Sequence, residues 1–252
     1  MIPPPEQWLL FLISALANLL SALAGGGAGL LQLPALIFLG LPFAIALATH
    51  KVASVALGVG ATLRFMRSGL IERRLALFIL CSGLPGVVLG ASLILHVPER
   101  AAQIALGLLT LGLGLYSLVR PELGTTADPR HRSGASYWLG GAVLFLIGAL
   151  NGSLTSGTGL FVTMWLVRWY GLEYRVAVAY TLILVGLFWN GTGAVTLGLQ
   201  GGIRWDWLPA LILGSLIGGY LGAHLAIVRG NRLVKRAFEV VTIVLGIKLL
   251  IG

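Results

Sequence analysis

Two glycine-rich stretches, about 130 residues apart, contain the residues best suited to bind a ligand. The first is Gly25-Gly26-Gly27-Ala28-Gly29, and an apolar run follows it. The second is Asn151-Gly152-Ser153-Leu154-Thr155-Ser156-Gly157-Thr158-Gly159, which adds hydroxyl and amide donors. Glycine lets the backbone turn with its N–H groups exposed, and a helix that begins there directs its positive end at the turn. Two such N-termini at one point would bind an anion, whereas the alternative is that the glycines only permit close helix crossing.

A second candidate is the polar run Thr49-His50-Lys51 inside an apolar stretch. Lys51 lies nine residues after Pro42, about 13 Å along a helix, which is too deep for its ammonium group to reach water easily. An ionisable group at that depth marks a functional site. No acidic residue is near it in sequence, so we expect a bound anion as its partner, or alternatively backbone carbonyls at a broken helix. His50 is a candidate proton carrier, and Asn190 adds a neutral polar group in the matching part of the second half.

The acidic residues lie in polar links or near the ends of apolar runs. Only Glu239 could reach into the membrane, and basic residues flank its segment. This distribution argues against a carboxylate relay of the kind found in cation pumps, and the predicted polar groups of the interior are positive or neutral donors. That balance favours a path for anions.

The composition predicts that membrane helices carry these residues. Of the 252 residues, 58% are hydrophobic and 10% are charged, whereas soluble domains carry about 25% charged residues. The single Cys81 excludes a disulfide scaffold and cysteine metal sites. The net charge of +9 lies in short links, so we expect it to set topology and attract lipid headgroups rather than nucleic acid. We predict an all-α integral membrane protein with no metal or cofactor.

Apolar runs that are separated by polar residues, glycines or prolines predict five segments in each half of the chain. In the first half they are Trp8–Ala24, Ala28–Leu39, Phe43–Leu63, Leu75–Leu95 and Ala101–Val119. In the second half they are Tyr137–Leu154, Thr158–Val167, Val176–Leu199, Trp207–Ile227 and Leu233–Ile251. The predicted domains are a first transmembrane repeat (1–119), a cytoplasmic linker (120–135) and a second, inverted repeat (136–252).

The repeat is predicted from matching motifs and from the distribution of charge. Gly27-Ala28-Gly29-Leu30 matches Gly157-Thr158-Gly159-Leu160, and Gly86-x-x-x-Gly90 matches Gly218-x-x-x-Gly222. In the first half, four basic residues lie around the link between the third and fourth segments. In the second half, the four basic residues lie around the link between the fourth and fifth segments. Under the positive-inside rule the halves therefore cross the membrane in opposite senses, with thirteen of the 17 Lys and Arg residues inside. Internal symmetry of this kind is typical of secondary transporters.

The second segment of each half is too short to cross a membrane. Each extends about 15–18 Å as a helix, whereas the hydrocarbon core is about 30 Å thick. Inversion also requires an odd number of crossings in each half, so the first two segments together must contribute an even number. We predict a broken or re-entrant hairpin in each half, entering from opposite faces, with the glycine-rich tips meeting near the midplane. The small residues spaced four apart in the fourth segments predict close helix packing.

These motifs resemble those of the sulfite/sulfonate exporter family, the TauE/SafE-like membrane transporters. The run from Ala24 to Leu36, AGGGAGLLQLPAL, followed by Gly40-Leu41-Pro42, is similar to the first-repeat motif of that family. Ala46-Leu47-Ala48-Thr49-His50-Lys51 is similar to the Ala-Thr-Asn/Ser motif after it, with His50 where Asn or Ser is usual. The resemblance covers nearly the whole chain, including the duplicated architecture.

The resemblance implies transport of sulfite, sulfonates, sulfoacetate, thiosulfate or other organic anions across a bacterial plasma membrane. We expect a secondary transporter, in the direction of export, with a small sulfur-containing anion and membrane lipid as partners and no enzymatic activity. The candidate substrate-binding residues are Gly25, Gly26, Gly27, Ala28, Thr49, His50, Lys51, Asn151, Thr155, Ser156, Gly157, Thr158 and Asn190.

Two other functions remain open from the residues. One is a passive anion channel. The other is an intramembrane serine hydrolase built on Ser153 or Ser156 with His224, although the inverted charge pattern and the lack of an orienting acid argue against it. Assembly into a homo-oligomer also stays open.

The predicted inversion places Arg73 and Arg232 at the same membrane face. Cysteines introduced as Arg73→Cys and Arg232→Cys, each in a Cys81→Ser background, should react with a membrane-impermeant maleimide in inside-out vesicles but not in intact cells. Arg204→Cys should show the opposite pattern and is the control. Labelling of positions 73 and 232 from opposing faces would contradict the inverted topology.

Overall fold

The computed structural model describes residues 5–65, 68–93, 99–154 and 157–251, and within these ranges every predicted segment is helical. The helices of the first half are α1 (Pro5–Ala24), α2 (Ala28–Phe38), α3 (Phe43–Phe65), α4 (Arg73–Leu93) and α5 (Glu99–Leu118). Those of the second half are α6 (Gly134–Leu154), α7 (Thr158–Arg168), α8 (Tyr174–Tyr180), α9 (Asn190–Gly201), α10 (Leu208–Arg229) and α11 (Asn231–Ile251). A π-helical segment, Thr181–Trp189, joins α8 to α9, so that the three form one continuous rod in the position of α3. No strand occurs in these described ranges, and the predicted all-α class is confirmed.

Six helices in the described part of the chain are long and apolar enough to cross a membrane. They are α1, α3, α4, α6, the rod of α8 and α9, and α10. By contrast α2 and α7 have 11 residues each, about 16 Å, which is half the thickness of a hydrocarbon core. The chain is therefore a multi-pass membrane protein in which each half contains one short apolar helix.

The first hairpin returns to the face from which it enters. Gln7, at the start of α1, donates to the backbone carbonyl of Asp206 just before α10. Near the other end of α10, His224 accepts a hydrogen bond from Arg64 in the last turn of α3. Helices α1, α3 and α10 therefore run in the same direction, and α2 must bring the chain back to the face where α1 began. This return is what the even number of crossings predicted for the first two segments requires.

Matching helices of the two halves run antiparallel where they touch. Along α3 and its counterpart rod, Gly58 lies against Leu187 while Lys51 lies against Gly193. Along α5 and α11, Arg100 donates to the carbonyl of Leu250, at the opposite end from Lys235. These directions are the ones that an inverted repeat requires, and the inversion across a membrane stays a prediction.

Glycines allow α10 to pack backbone-to-backbone on α1, as the spacing of small residues predicted. A Cβ atom on Gly218 would lie 2.4 Å from the carbonyl oxygen of Ala15, and one on Gly222 would lie 2.5 Å from that of Leu19. The equivalent pair is α4 on α6, where a Cβ on Gly86 would lie 2.1 Å from the oxygen of Phe145. Small residues permit this close approach, which is how membrane helices gain packing contacts without a hydrophobic driving force.

We expect Gly218→Ala to lower the thermal unfolding temperature in detergent, because the added methyl group must push α1 away from α10. The control is Gly112→Ala in α5, where a Cβ meets nothing within 4 Å. That change should leave stability unchanged or raise it slightly, since alanine is the better helix former by up to about 1 kcal/mol. Equal effects of the two substitutions would show that this helix contact is not tightly packed.

Candidate functional site

A cavity of about 40 Å³ lies where the two hairpin tips meet the middle of α3 and the π-helical segment. Ser54, one of its lining residues, is eleven residues from each end of α3. The volume suits a few waters or one small ion rather than an extended organic molecule. The described residues that line it include no acid and are Ser21, Gly26, Gly27, Ala28, Gly29, His50, Ser54, Leu57, Asn151, Thr158, Gly159, Thr181, Leu182, Val185, Gly186 and Asn190.

Two helices begin at this cavity. Gly27, with φ +96°, precedes α2, and Gly157, with φ +77°, precedes α7. Both are left-handed conformations that favour glycine, and neither position supplies a side-chain cap. The first N–H groups of a helix have no acceptor within it. The first turns of α2 and α7 therefore present backbone donors and positive helix ends to the same small space.

The two glycine-rich tips touch each other, as predicted. A Cβ atom on Gly26 would lie 2.5 Å from the carbonyl carbon of Gly159, so any side chain there would separate the tips. The contact is held by Thr163 of α7, whose hydroxyl donates to the carbonyl of Gly25 at 2.7 Å and lies 2.9 Å from the hydroxyl of Thr181. Gly25 thus lies beside the cavity and supports its wall.

Ser21 supplies a hydroxyl that is available to a ligand. Its side chain is 2% exposed and lines the cavity. Within the described ranges the hydroxyl has no hydrogen-bond partner. A buried polar atom without a partner is destabilising unless a water or a ligand satisfies it, so Ser21 points to an occupant in this space.

A hydrogen-bonded chain fixes the ring of His50 at the edge of the cavity. Gln32 donates its amide N–H to the hydroxyl of Ser14 at 3.0 Å, which leaves its carbonyl oxygen as an acceptor. His50 Nδ1 lies 2.6 Å from that oxygen and therefore donates to it. Its Nε2 lies 3.2 Å from the hydroxyl of Ser54, so both ring nitrogens have hydrogen-bond partners.

Lys51 lies behind the cavity wall, outside the lining. Its ammonium group donates to the backbone carbonyl of Asn151 at 2.9 Å and to the side-chain oxygen of the same residue at 3.2 Å. Lys51 is fully buried, and it forms no ion pair with an acid among the described residues. The carbonyl partner proposed as the alternative is therefore the one observed. Asn151 is near the C-terminal end of α6, where the helix dipole favours a cation.

Asn151 connects that lysine to the cavity. Its amide donates to the hydroxyl of Thr158 at 2.9 Å and to Asn190 at 3.4 Å, and all three residues line the cavity. The positive charge of Lys51 is thus one residue removed from the candidate ligand. Asn190 was predicted as a site residue only from its matching position in the second half, and in the structure it lines the cavity.

The remaining predicted site residues lie elsewhere. Thr49 is buried away from the cavity and accepts a hydrogen bond from the backbone N–H of Arg204. Gly157 packs against Leu30 and caps α7 rather than lining the cavity. Thr155 and Ser156 lie outside the described residues.

Sequence reasoning missed Ser21, Gln32, Ser54, Thr163 and Thr181 as members of this site. Each is a single polar residue in an apolar run, which is the signal that could have found it, since polar side chains inside a membrane are seldom without a role. The spacing of Ser54, one turn after His50, was a further indication.

A larger cavity of about 580 Å³ lies at the surface, between the linker and the end of α7. Arginines and acids both line it, and two of its arginines are already bonded: Arg130 pairs with Asp128, and Arg168 donates to the hydroxyl of Tyr116. Because its charges are mixed and two of its arginines are already bonded, we describe this cavity as a surface cleft of the linker and not as the candidate site.

Glu239, the one acid expected near the membrane interior, is neutralised by a neighbour. Its carboxylate lies 2.6 Å from the ammonium group of Lys235, one turn earlier on α11. The hydroxyl of Ser117 donates to the same carboxylate oxygen. This buried pair joins α11 to the end of α5 and lies outside the central cavity.

The residues suggested for a serine hydrolase are engaged elsewhere. The hydroxyl of Ser153 donates to the carbonyl of Ala149 in its own helix. The ring of His224 accepts its hydrogen bond from Arg64. Ser156 lies outside the described residues.

The helices and the cavity together define a class: a multi-pass membrane protein whose centre is formed by helix N-termini and neutral donors. The family model described as "Sulfite exporter TauE/SafE" matches residues 10–249, and the chain belongs to this family of membrane transporters. The resemblance read from the motifs is thereby confirmed.

Curated relatives cover nearly the whole chain. A "Probable membrane transporter protein" of Haemophilus influenzae is 31% identical over 229 residues, 90% of this chain and 88% of the relative. The "Probable membrane transporter protein YfcA" of Escherichia coli is 28% identical over 253 residues, 99% of this chain and 91% of the relative. The "Probable membrane transporter protein YunE" of Bacillus subtilis is 23% identical, covering 96% of each chain. No solved structure matches the chain.

We expect Thr163→Val to loosen the contact between the hairpin tips, because it removes the hydroxyl that donates to Gly25 and leaves that carbonyl unpaired. A lost hydrogen bond of about 1 kcal/mol should lower the thermal unfolding temperature by about 2–4 °C. Thr196→Val is the matched control, since the hydroxyl of Thr196 donates only to the carbonyl of Thr192 in its own helix. If both variants unfold at the wild-type temperature, Thr163 does not hold the tips together.

Proposed function

We propose that this chain is a secondary transporter of small sulfur-containing anions, such as sulfite, sulfonates, sulfoacetate or thiosulfate, and that it exports them by alternating access around the central cavity. The observation that carries the proposal is the pair of helices, α2 and α7, that begin at one cavity without side-chain caps. Helix N-termini bind oxyanions through free N–H groups and the positive end of the dipole. The description of the matching family, as sulfite exporters, supports the choice of anion.

The charge around the cavity supports an anion over a cation. Lys51 brings a full positive charge to the residue next to the lining, and no lining residue in the described part of the chain is acidic. In this environment a bound cation would face two positive helix ends and an ammonium group. A bound anion instead gains attraction from all three, in surroundings of low dielectric where such attraction is strong.

The dimensions of the cavity support a small headgroup as the bound moiety. At about 40 Å³ it suits an oxyanion such as sulfite, or the sulfonate end of a short organic anion. The hydroxyl of Ser21 and the first N–H groups of α2 and α7 are donors, which match the oxygen acceptors of sulfite and sulfonate.

The proposed location is the inner membrane of a bacterium, with the two repeats (1–119 and 136–252) inverted and the linker (120–135) in the cytoplasm. The distribution of Lys and Arg among the links supports this orientation. The antiparallel course of α3 and the rod of α8 and α9 supports the inversion. Membrane lipid is then the surroundings of the exposed apolar side chains.

Purified protein in liposomes should take up labelled sulfite or a short labelled sulfonate with saturation and with counterflow, both of which distinguish a carrier from a passive channel. Lys51→Ala should reduce the initial rate at least tenfold, because it removes the basic side chain that lies next to the lining of the cavity. The control is Lys248→Ala, which removes an exposed lysine from α11. Unchanged transport by Lys51→Ala would show that the site is wrongly assigned, and linear flux without counterflow would favour a channel.

A further inference from the structure

Two hydrogen bonds of the same kind lie on either side of the central cavity. In one, the backbone N–H of Arg204 donates to the hydroxyl of Thr49 at 3.0 Å. In the other, the backbone N–H of Glu72 donates to the hydroxyl of Tyr180 at 2.6 Å, and that hydroxyl also lies 3.2 Å from the carbonyl oxygen of Glu72, to which it donates. Both hydroxyl-bearing side chains are buried, with exposed fractions of 0% and 1%. These contacts, the Thr49 clasp and the Tyr180 clasp, join the two halves of the chain.

The hydroxyls of the two clasps occupy matching positions. Thr49 lies six residues after the first residue of α3, and Tyr180 lies six residues after the first residue of α8. Each stands immediately before a residue that lines the cavity, His50 in one half and Thr181 in the other. The cavity wall therefore begins directly behind each clasp.

The donors of the two clasps match as well. Arg204 and Glu72 lie in the links that precede α10 and α4, which are the fourth segments of their halves. An isoleucine comes before each donor, Ile203 in one link and Ile71 in the other, and both are half-buried against the core. The two donor residues have only the backbone N–H in common, because the side chains of Arg204 and Glu72 carry opposite charges.

The clasps face opposite ends of the cavity. Both hydroxyls lie on the N-terminal side of the cavity in their own helix, and α3 runs antiparallel to the rod of α8 and α9. Thr49 must therefore lie between the cavity and one face, and Tyr180 between the cavity and the other.

We propose that the Thr49 clasp and the Tyr180 clasp are the outer and inner gates of transport, and that the structure with both clasps closed is an occluded state. The inference rests on the proposed function, of which it specifies the moving contacts. A hydrogen bond between neutral groups suits a gate, because its typical net worth corresponds to only about fivefold in an equilibrium. Opening the Tyr180 clasp also separates Glu72 from Arg132, a partly exposed ion pair of little net strength.

The surroundings of the Tyr180 clasp support its assignment as an exit. A cavity of about 240 Å³ lies against it, lined by Glu72, Arg74 and Arg132 among others. The carboxylate of Glu72 is 3.3 Å from the guanidinium of Arg132 in the linker. An anion that passes the open clasp would reach a space lined by arginine, and the path would continue to the face that carries most of the basic residues.

The test measures access to the cavity from each face. Ser54→Cys in a Cys81→Ser background places a thiol on the cavity wall, and its reaction with a small anionic, membrane-impermeant thiosulfonate is followed in spheroplasts and in inside-out vesicles. Thr49→Val should raise the reaction rate about fivefold in spheroplasts only, since valine keeps the shape but loses the acceptor. Tyr180→Phe removes two hydrogen bonds to the backbone of Glu72, so it should raise the rate at least fivefold, in inside-out vesicles only.

Matched controls remove a threonine and a tyrosine hydroxyl that belong to no clasp. Thr62→Val removes a hydroxyl bonded to the carbonyl of Gly58 in the same helix, and Tyr116→Phe removes one bonded to Arg168. Neither should alter the rate from either face. Arg204→Pro removes the donor rather than the acceptor, so it should reproduce Thr49→Val, and combining the two should add nothing.

Three results would overturn the gates: rates equal to those of the controls, increases from both faces alike, or an additive effect of Thr49→Val and Arg204→Pro. The labelling needs no transported anion. If sulfite and sulfonates fail to move but labelling is selective for each face, the gates stand and the substrate proposal fails. If transport succeeds and labelling does not respond, only the gates fail.

Discussion

A helix that ends inside a membrane must find partners for its terminal backbone groups within the protein, because lipid offers none. In this chain four helix ends meet around one small cavity, and two of them are satisfied by the chain itself. The carbonyl of Ser21 near the end of α1 accepts from the N–H groups of Gly25 and Gly26. The carbonyl of Asn151 near the end of α6 accepts from Lys51. The starts of α2 and α7 differ, since they have glycine caps without side chains and open onto the cavity.

The electrostatic character of the centre follows from that arrangement. Two helix N-termini give partial positive charge, and the basic side chain of Lys51 donates to a carbonyl at the negative end of α6. The halves are not equivalent here, because the residue that matches Lys51 is the apolar Leu182. One half therefore contributes the charge, and both contribute backbone donors. The π-helical segment, which begins at Thr181, turns its residues toward the same space, and such segments often occur at functional sites.

Much of this could be predicted from the sequence because the constraints of a membrane are strict. The starts of α2 and α7, at Ala28 and Thr158, could be predicted because glycines precede an apolar run. Because both helices are too short to cross a membrane, the contact between the hairpin tips could be predicted as well. The partner of Lys51 stayed open between an anion and a carbonyl, since that choice depends on where the end of α6 lies in space. The contact of His50 with Gln32 depends likewise on the return of α2 beside α3. The two clasps could not be predicted from the sequence, because their donors are backbone N–H groups, which every residue except proline carries.

The starts of α2 and α7 are proposed to hold an anion between them, and a structure determined with selenite, the selenium analogue of sulfite, is the sharpest test. Anomalous scattering locates selenium independently of the surrounding atoms. We expect one strong peak in the cavity, with selenite oxygens within hydrogen-bond distance of the hydroxyl of Ser21 and of the first N–H groups of both helices. A peak only at the surface cleft of the linker, or an empty cavity at saturating selenite, would contradict this binding site.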